Sequence, residues 1–147
     1  MTIVSLTEWN IFLENHPNAH LLQMGEWGEL KRGFGWKPVR LVLNNEVGAQ
    51  ILFRRLPLGL TLGYMPKPVF SSQWSVIGDQ FWREVDLVCK KNHAVFLKME
   101  PDAWTEEFNF QPSTFKLSTH NIQPPRTITI SINDTEEQIL ARMKPKC

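Results

Sequence analysis

The first apolar positions of the chain recur with the period of a helix. Ser5 and Glu8 have the spacing of a capping box, in which two side chains satisfy free N–H groups at a helix start. An apolar face follows at helical spacing, formed by Trp9, Phe12 and Leu13. This pattern predicts a helix over residues 7–16 that ends at Pro17.

A second helical stripe runs through residues 25–34. Trp27, Leu30 and Phe34 are separated by three and four positions, so they lie on one side of a helix. Gly35 follows as a residue typical of helix ends. We therefore predict a second helix whose apolar stripe faces the protein interior.

The pattern then changes to the alternation that is typical of strands. Residues 39–53 predict a hairpin whose turn lies at Asn44 and Asn45. Apolar residues occupy one face of both strands: Val39, Leu41, Leu43, Val47, Ala49, Ile51 and Phe53. The alternation continues over residues 60–64, which predicts a third strand.

Residues 74–92 return to the helical period. The predicted inward stripe consists of Phe81, Val85 and Val88. Asp86 and Lys90 lie four positions apart on the opposite side, where they can form an ion pair. Residues 94–100 are almost continuously apolar, which predicts a strand covered on both faces and paired in parallel with its neighbour.

The last third of the chain is less regular. Residues 103–124 predict a loop, residues 127–132 a strand of β-branched residues, and residues 135–144 a helix. Its inward positions are Ile139, Leu140 and Met143. Because helices and strands are mixed without strict alternation, we predict an α+β or mixed α/β fold with a mostly antiparallel sheet flanked by helices. A length of 147 residues suits a single domain.

Composition indicates which cellular compartment and which classes of binding partner to expect. The chain has 16 Lys and Arg against 15 Asp and Glu, so no overall field attracts nucleic acid or an anionic membrane. Two cysteines are too few for a disulfide framework, which favours a reducing compartment. Since neither a leader nor an apolar run of ~18 residues is present, we expect a cytoplasmic protein.

Most motifs of enzyme chemistry are absent from the sequence. No Walker-type phosphate loop, GxSxG, HExxH or paired CxxC occurs. The spacing of His16 and His20 gives little support for a metal site, because Pro17 lies between them. Cys89 falls within a helical pattern, which favours a packed thiol over a nucleophile. No catalytic residue can be assigned from the sequence.

Acidic residues follow the strand predicted at residues 94–100. They are Glu100, Asp102, Glu106 and Glu107. Carboxylates after a strand end can act in catalysis, but the same residues also suit the first turn of a short helix. Both interpretations stay open. Arg54 and Arg55 end a predicted strand and must face opposite ways, so at most one can enter a common site.

Two lysines are candidates for ligand contact. Lys31 lies four positions after Trp27, so its stem can pack on the aromatic ring while its ammonium faces solvent. A lysine held in this way can bind phosphate, although spacing alone favours a simple surface lysine. Lys67 lies in the proline-containing loop YMPKPVF, which can present a side chain at low entropic cost.

Several blocks together resemble the amino-terminal half of the FemABX peptidyltransferases, which are named after methicillin-resistance factors and build peptidoglycan interpeptide bridges. The blocks are HPNAHLLQMGEWGELKRGFGWKPVRLVL, GAQILFRRLPLGLTLGYMPKP, FLKMEPD, IQPPRTITISI and EEQILARMKPK. The resemblance implies a GNAT-like acyltransferase fold. It also implies transfer of an amino acid from aminoacyl-tRNA to the stem peptide of a nucleotide-linked or lipid-linked muramyl precursor, with no metal or coenzyme A.

The resemblance also bears on individual residues. Gln23, Trp27 and Lys31 match a family spacing whose lysine contacts the diphosphate of the precursor, so it implies a substrate-binding role for Lys31 with Trp27 beside it. The same comparison makes Tyr64 and Lys67 candidate substrate contacts. Their loop lacks the glycine of the family's Gly-Pro pair, which weakens that transfer.

In the family, the chain continues beyond the block ARMK into a second domain that supplies much of the acceptor cleft and the tRNA surface. We therefore expect residues 1–147 to be a first GNAT-like domain truncated at its carboxyl end and inactive alone. It would work at the inner face of the membrane and could self-associate through an uncovered apolar face. The alternative function is a non-catalytic binding or interaction module. The sequence does not identify the amino acid transferred.

Overall fold

The computed structural model describes residues 2–70, 79–102, 116, 118–124 and 133–143. The chain divides into two compact units, Met1–Phe115 and Lys116–Cys147. Within the described ranges, no helix is long and apolar enough to cross a bilayer.

Among its described residues, the first unit combines a six-stranded sheet with three α-helices. Its strands are β1 (Thr2–Val4), β2 (Trp36–Leu43), β3 (Val47–Arg55), β4 (Thr61–Pro66), β5 (Val69–Phe70) and β6 (Ala94–Glu100). Its helices are α1 (Leu6–Glu14), α2 (Gly25–Gly33) and α3 (Asp79–Lys91), with short 3₁₀ turns at Leu21–Gln23 and Pro57–Gly59. The strand order is β1-β2-β3-β4-β6, and β5 pairs with β3. All pairs are antiparallel except β4 with β6. The predicted α+β fold is confirmed.

The β2–β3 hairpin forms where alternation predicted it. Leu43 pairs with Val47, and the turn between them places Asn44 and Asn45 at φ 52° and 58°. Asparagine tolerates this left-handed conformation better than most residues, so the two asparagines fix the turn and thereby the register.

One face of the sheet packs against α3 to form the main core. The predicted residues Phe81, Val85 and Val88 are all buried there. The sheet contributes Val39, Leu41, Leu43, Val47, Ala49, Ile51, Phe53 and Met65. The predicted ion pair also forms, with 2.6 Å between Lys90 Nζ and Asp86 Oδ2.

The opposite face is covered by α1 and α2. Ser5 and Glu8 form the predicted capping box, and the apolar face of α1 is buried in a smaller cluster with Val69. Gly48 of β3 lets this cluster approach the sheet, since a Cβ there would collide with the rings of Trp9 and Phe12.

The burial predicted for β6 is wrong, although its parallel pairing is confirmed. Val95 and Phe96 are each more than half exposed. β6 pairs with β4 alone among the described strands, so it is an edge strand there. Apolar composition does not distinguish such an edge from a strand inside a parallel sheet.

In the second unit, α4 spans Glu136–Arg142 and begins with a capping box at Thr135. The prediction that Leu140 and Met143 face inward is wrong, because both side chains are exposed. This helix has about two turns and buries none of its residues. The strand predicted at residues 127–132 and most of the loop predicted at residues 103–124 lie outside the described residues.

Candidate functional site

Lys31, in the last turn of α2, contacts Trp27, which lies one turn earlier in the same helix. The Nζ atom of Lys31 lies 4.6 Å from the centroid of the Trp27 ring, within the range of a cation–π interaction. The predicted contact between Lys31 and the Trp27 ring is therefore confirmed, but the ammonium group, which was predicted to face solvent, itself lies over the ring. Both residues are half-buried, so the contact restrains the lysine side chain while part of that side chain stays accessible to solvent.

The apolar stripe predicted for α2 does not attach this helix to the sheet. Leu30 is 53% exposed and Phe34 is 69% exposed. Its buried positions are Gly25 and Gly28. A Cβ at Gly28 would collide with the side chains of Gln50 and Arg40, so the missing side chain allows the helix backbone to lie against polar groups of the sheet.

Arg40 is buried in the middle of β2 and lies at the centre of this contact. Its Nε donates to Gln50 Oε1 at 2.8 Å, and its Nη2 donates to Glu29 Oε1 at 2.8 Å. A second contact of Nη2 reaches the Gly25 carbonyl at 3.4 Å. These bonds satisfy a buried charge and join α2 to both central strands. Our sequence analysis missed Arg40, although a charged residue at an alternating strand position was a usable signal.

Gln23 extends the network to the start of α2. It is fully buried, its Oε1 accepts from the Gln50 backbone N–H at 2.6 Å, and its Nε2 donates to the Pro66 carbonyl. Its own carbonyl accepts from the Trp9 indole at 2.7 Å. Gln23 therefore orients the segment that carries Trp27 and Lys31, and its side-chain groups are all used within the protein.

Tyr64 lies within β4 and Lys67 directly follows this strand, and both contact residues at the end of β6 or just after it. The Tyr64 hydroxyl donates to Glu100 Oε2 at 2.7 Å, and Lys67 Nζ lies 3.2 Å from Asp102 Oδ1. Lys67 Nζ also donates to the Pro101 carbonyl at 3.1 Å. Two of the four predicted acidic residues thus bind the two predicted substrate contacts. Glu106 and Glu107 lie outside the described residues.

A pocket of about 400 Å³ lies beside Lys67, between residues 15–20 and residues 67–70. Its two histidines already have partners: His16 Nδ1 donates to the Phe12 carbonyl at 2.8 Å, and His20 Nδ1 accepts from a backbone N–H at 3.2 Å. Within the part of the chain that the structure describes, no three His, Cys, Asp or Glu side chains gather as a metal site would require.

Cys89 and the arginine pair were also singled out by the sequence. Burial, together with the nearby Asp86 carboxylate, raises the pKa of the Cys89 thiol to about 11. A protonated thiol is a poor nucleophile, so the prediction of a packed cysteine is confirmed. Arg54 lies 5.5 Å from the Trp36 ring centroid, and both Arg54 and Arg55 are exposed.

Comparison with known proteins gives a consistent result. The chain is 31% identical over 152 residues to a lipid II:glycine glycyltransferase of Staphylococcus haemolyticus and 28% identical over 153 residues to one of Staphylococcus aureus. Each alignment covers 90% of this chain and 36% of the relative, so the chain spans about a third of these relatives. The FemAB family model matches residues 4–146. The chain therefore belongs to the FemAB family.

Proposed function

We propose that this chain forms the first GNAT-like part of an aminoacyltransferase that extends the stem peptide of a muramyl-peptide precursor. Family membership over residues 4–146 supports this proposal, as do two relatives whose names specify lipid II and glycine. In the proposed reaction, a stem-peptide amine attacks the ester carbonyl of aminoacyl-tRNA. A new amide forms, and the tRNA hydroxyl leaves.

Lys31 is the proposed anchor for the precursor diphosphate. Its position over the Trp27 ring is the observation that carries this assignment, because the contact restrains a flexible side chain that solvent still reaches. An ammonium group binds phosphate oxygens through charge-assisted hydrogen bonds. The buried network beneath α2 keeps the helix in place while the ligand binds.

Tyr64 and Lys67 are proposed as a second group of precursor contacts. In the described structure, Lys67 is engaged by Asp102 and the Pro101 carbonyl, so contact with a ligand requires it to leave that ion pair. Asp102 is largely exposed and the pair is screened by water, which keeps the cost of exchange small.

Calorimetric titration with the nucleotide-linked muramyl-pentapeptide tests the assignment of Lys31. We expect Lys31→Met to weaken binding by about 1.5–3 kcal/mol, the scale of a hydrogen bond to a charged group. Arg32→Met is the matched control, because Arg32 is the next residue of α2 and its partner is Glu29. Equal affinities for wild type and Lys31→Met, with both folded, would remove Lys31 from the site.

Transfer is tested by incubating the chain with glycyl-tRNA and the same precursor, then measuring the mass of the stem peptide. Product formation supports an aminoacyltransferase. Precursor binding without transfer is the result expected if these 147 residues are inactive alone, and it fits the alternative of a binding module equally. If the folded chain shows neither precursor binding nor transfer, the proposed function of this segment is contradicted.

A further inference from the structure

The loop between β3 and β4 presents a leucine to solvent in an unfavourable backbone conformation. Leu58 is 95% exposed and has φ 63°, and Gly59 follows at φ 75°. Non-glycine residues rarely adopt this conformation because their Cβ crowds the backbone. The leucine side chain contributes almost no burial within the protein, so packing does not account for its presence at the loop tip.

Strand pairing brings other exposed apolar side chains to the same end of the sheet. Trp36 at the start of β2 pairs with Arg54, and Thr61 at the start of β4 pairs with Ala94 of β6. Four exposed side chains therefore accompany Leu58 at this end: Phe34, Leu60, Val95 and Phe96. We call residues 34–37, 54–61 and 90–96 the loop end.

Positive charge gathers at the loop end although the whole chain has a net charge of only +1. The cations are Lys37, Arg54, Arg55, Lys90 and Lys91. α3 reaches this end because the His93 carbonyl accepts the Thr61 N–H at 2.9 Å. Lys90 is paired with Asp86, while the other four cations have no carboxylate partner among the described residues.

We propose that the loop end binds the surface of an anionic lipid bilayer, with Leu58 inserted among the acyl chains and the cations on lipid phosphates. Such a surface has an outer layer of anionic headgroups and an inner layer of acyl chains. The cations of the loop end match the headgroups, and its apolar tip matches the acyl chains. Leu58, the most exposed of the apolar side chains at the loop end, is aliphatic and suits acyl chains. Nucleic-acid bases stack on aromatic rings such as Phe34 and Phe96, so tRNA is the competing ligand in the test. Because the proposal concerns lipid alone, it stands apart from precursor binding.

Co-sedimentation with vesicles tests the proposal without any muramyl precursor. We expect the chain to bind vesicles of equal parts phosphatidylglycerol and phosphatidylcholine, and to bind pure phosphatidylcholine much more weakly. Replacing both Arg54 and Arg55 by glutamine lowers the partition coefficient about fivefold for each charge removed. Leu58→Asn lowers it at least about tenfold, because the inserted apolar side chain is lost.

The substitutions include a matched control. Leu21→Asn also removes an exposed leucine, but Leu21 begins the 3₁₀ turn whose Gln23 is bonded to Pro66, at the other end of β4. We expect the Leu21→Asn variant to bind vesicles as tightly as the wild type does. Leu58→Asn is expected to fold because asparagine accepts a positive φ, and its circular dichroism spectrum checks this point.

The proposal would be overturned by absence of vesicle binding by the folded chain, by unchanged binding of Leu58→Asn, or by equal binding to phosphatidylglycerol and pure phosphatidylcholine vesicles. The same holds if bulk tRNA, rather than vesicles, binds and the arginine substitutions abolish that binding. The loop end would then be a nucleic-acid surface.

Discussion

Two arginines bind the same oxygen of Glu29, and their surroundings give the two contacts different weights. Arg40 Nη2 lies 2.8 Å and Arg32 Nη2 lies 3.2 Å from Glu29 Oε1. The Arg40 side chain is buried and also donates to Gln50, whereas Arg32 is largely exposed to water. The contact with Arg40 is therefore less screened by water than the contact with Arg32.

This difference predicts unequal effects of removing the two guanidinium groups. We expect Arg40→Met to lower the free energy of unfolding by about 1.5–3 kcal/mol, because Gln50 Oε1 loses its buried donor. Arg32→Met should cost no more than about 1 kcal/mol, as for other exposed ion pairs. Urea unfolding of both variants measures the difference, and equal losses would contradict the importance of the buried network.

Leu58 gives a second prediction at the scale of a single residue. Its positive φ is costly for leucine, so Leu58→Asn should raise the free energy of unfolding by about 1 kcal/mol. Leu60→Asn is the control, because Leu60 is part of the same loop but has an ordinary φ of −78°. Thermal unfolding compares the two. A destabilised Leu58→Asn would mean that the leucine packs against the protein in solution.

At the scale of elements, α2 shows how a helix can attach to a sheet through glycines. Gly28 lies against Gln50 and Arg40, whereas Gly33 of the same helix has open space around it. Alanine is intrinsically better than glycine in a helix by about 0.8–1 kcal/mol. The two positions should therefore respond in opposite ways to the same substitution.

We expect Gly33→Ala to stabilise the protein by about 0.5–1 kcal/mol and Gly28→Ala to destabilise it by about 1–3 kcal/mol. The new methyl group at position 28 must displace Gln50, whose amide oxygen accepts from Arg40. Urea unfolding of the pair distinguishes helix propensity from close packing. Stabilisation by both substitutions would show that Gln50 can move without loss.

The same helix shows which structural features the sequence could predict. Its bounds and the contact of Lys31 with Trp27 follow from helical spacing, which is a local property. Its buried face does not, because the periodic apolar residues Leu30 and Phe34 point to solvent and two glycines point inward. A hydrophobic pattern identifies buried faces by their apolar side chains. It therefore cannot identify a face that is buried because its residues are glycines.

Strands show a similar limit. Alternation and two asparagines predicted the β2–β3 hairpin, because register and turn are encoded within a few residues. The exposure of β6 depends on which strands flank it, a property of the whole sheet. The Arg40–Glu29 pair was likewise out of reach, since it joins β2 to α2 through tertiary packing.

At the scale of the whole molecule, the strands of the sheet differ in how many neighbours they pair with and how deeply they are buried. β3 pairs with β2, β4 and β5, and its residues Ala49 and Ile51 are fully buried. β6 pairs with β4 alone among the described strands and is partly exposed along its length. Protection of backbone amides should follow these differences, because local opening is easiest where few contacts are broken.

Hydrogen–deuterium exchange measures this gradient. We expect the amides of β6 to exchange at least about tenfold faster than those of β3 under native conditions. β2 is a suitable reference, because it belongs to the same sheet and pairs on both sides with β1 and β3. Equal protection of β3 and β6 would indicate that the sheet opens only as a unit.

The parallel pairing of β4 with β6, the one such pair among the described strands, also affects the order in which the fold assembles. β2 and β3 are joined by a short turn, so their pairing closes a small loop at little entropic cost. β4 and β6 are separated in the chain by β5 and α3, and their pairing closes a much longer loop. We infer that the β2–β3 hairpin forms before β6 pairs with β4, so a newly made chain passes through a stage in which β4 is the open edge.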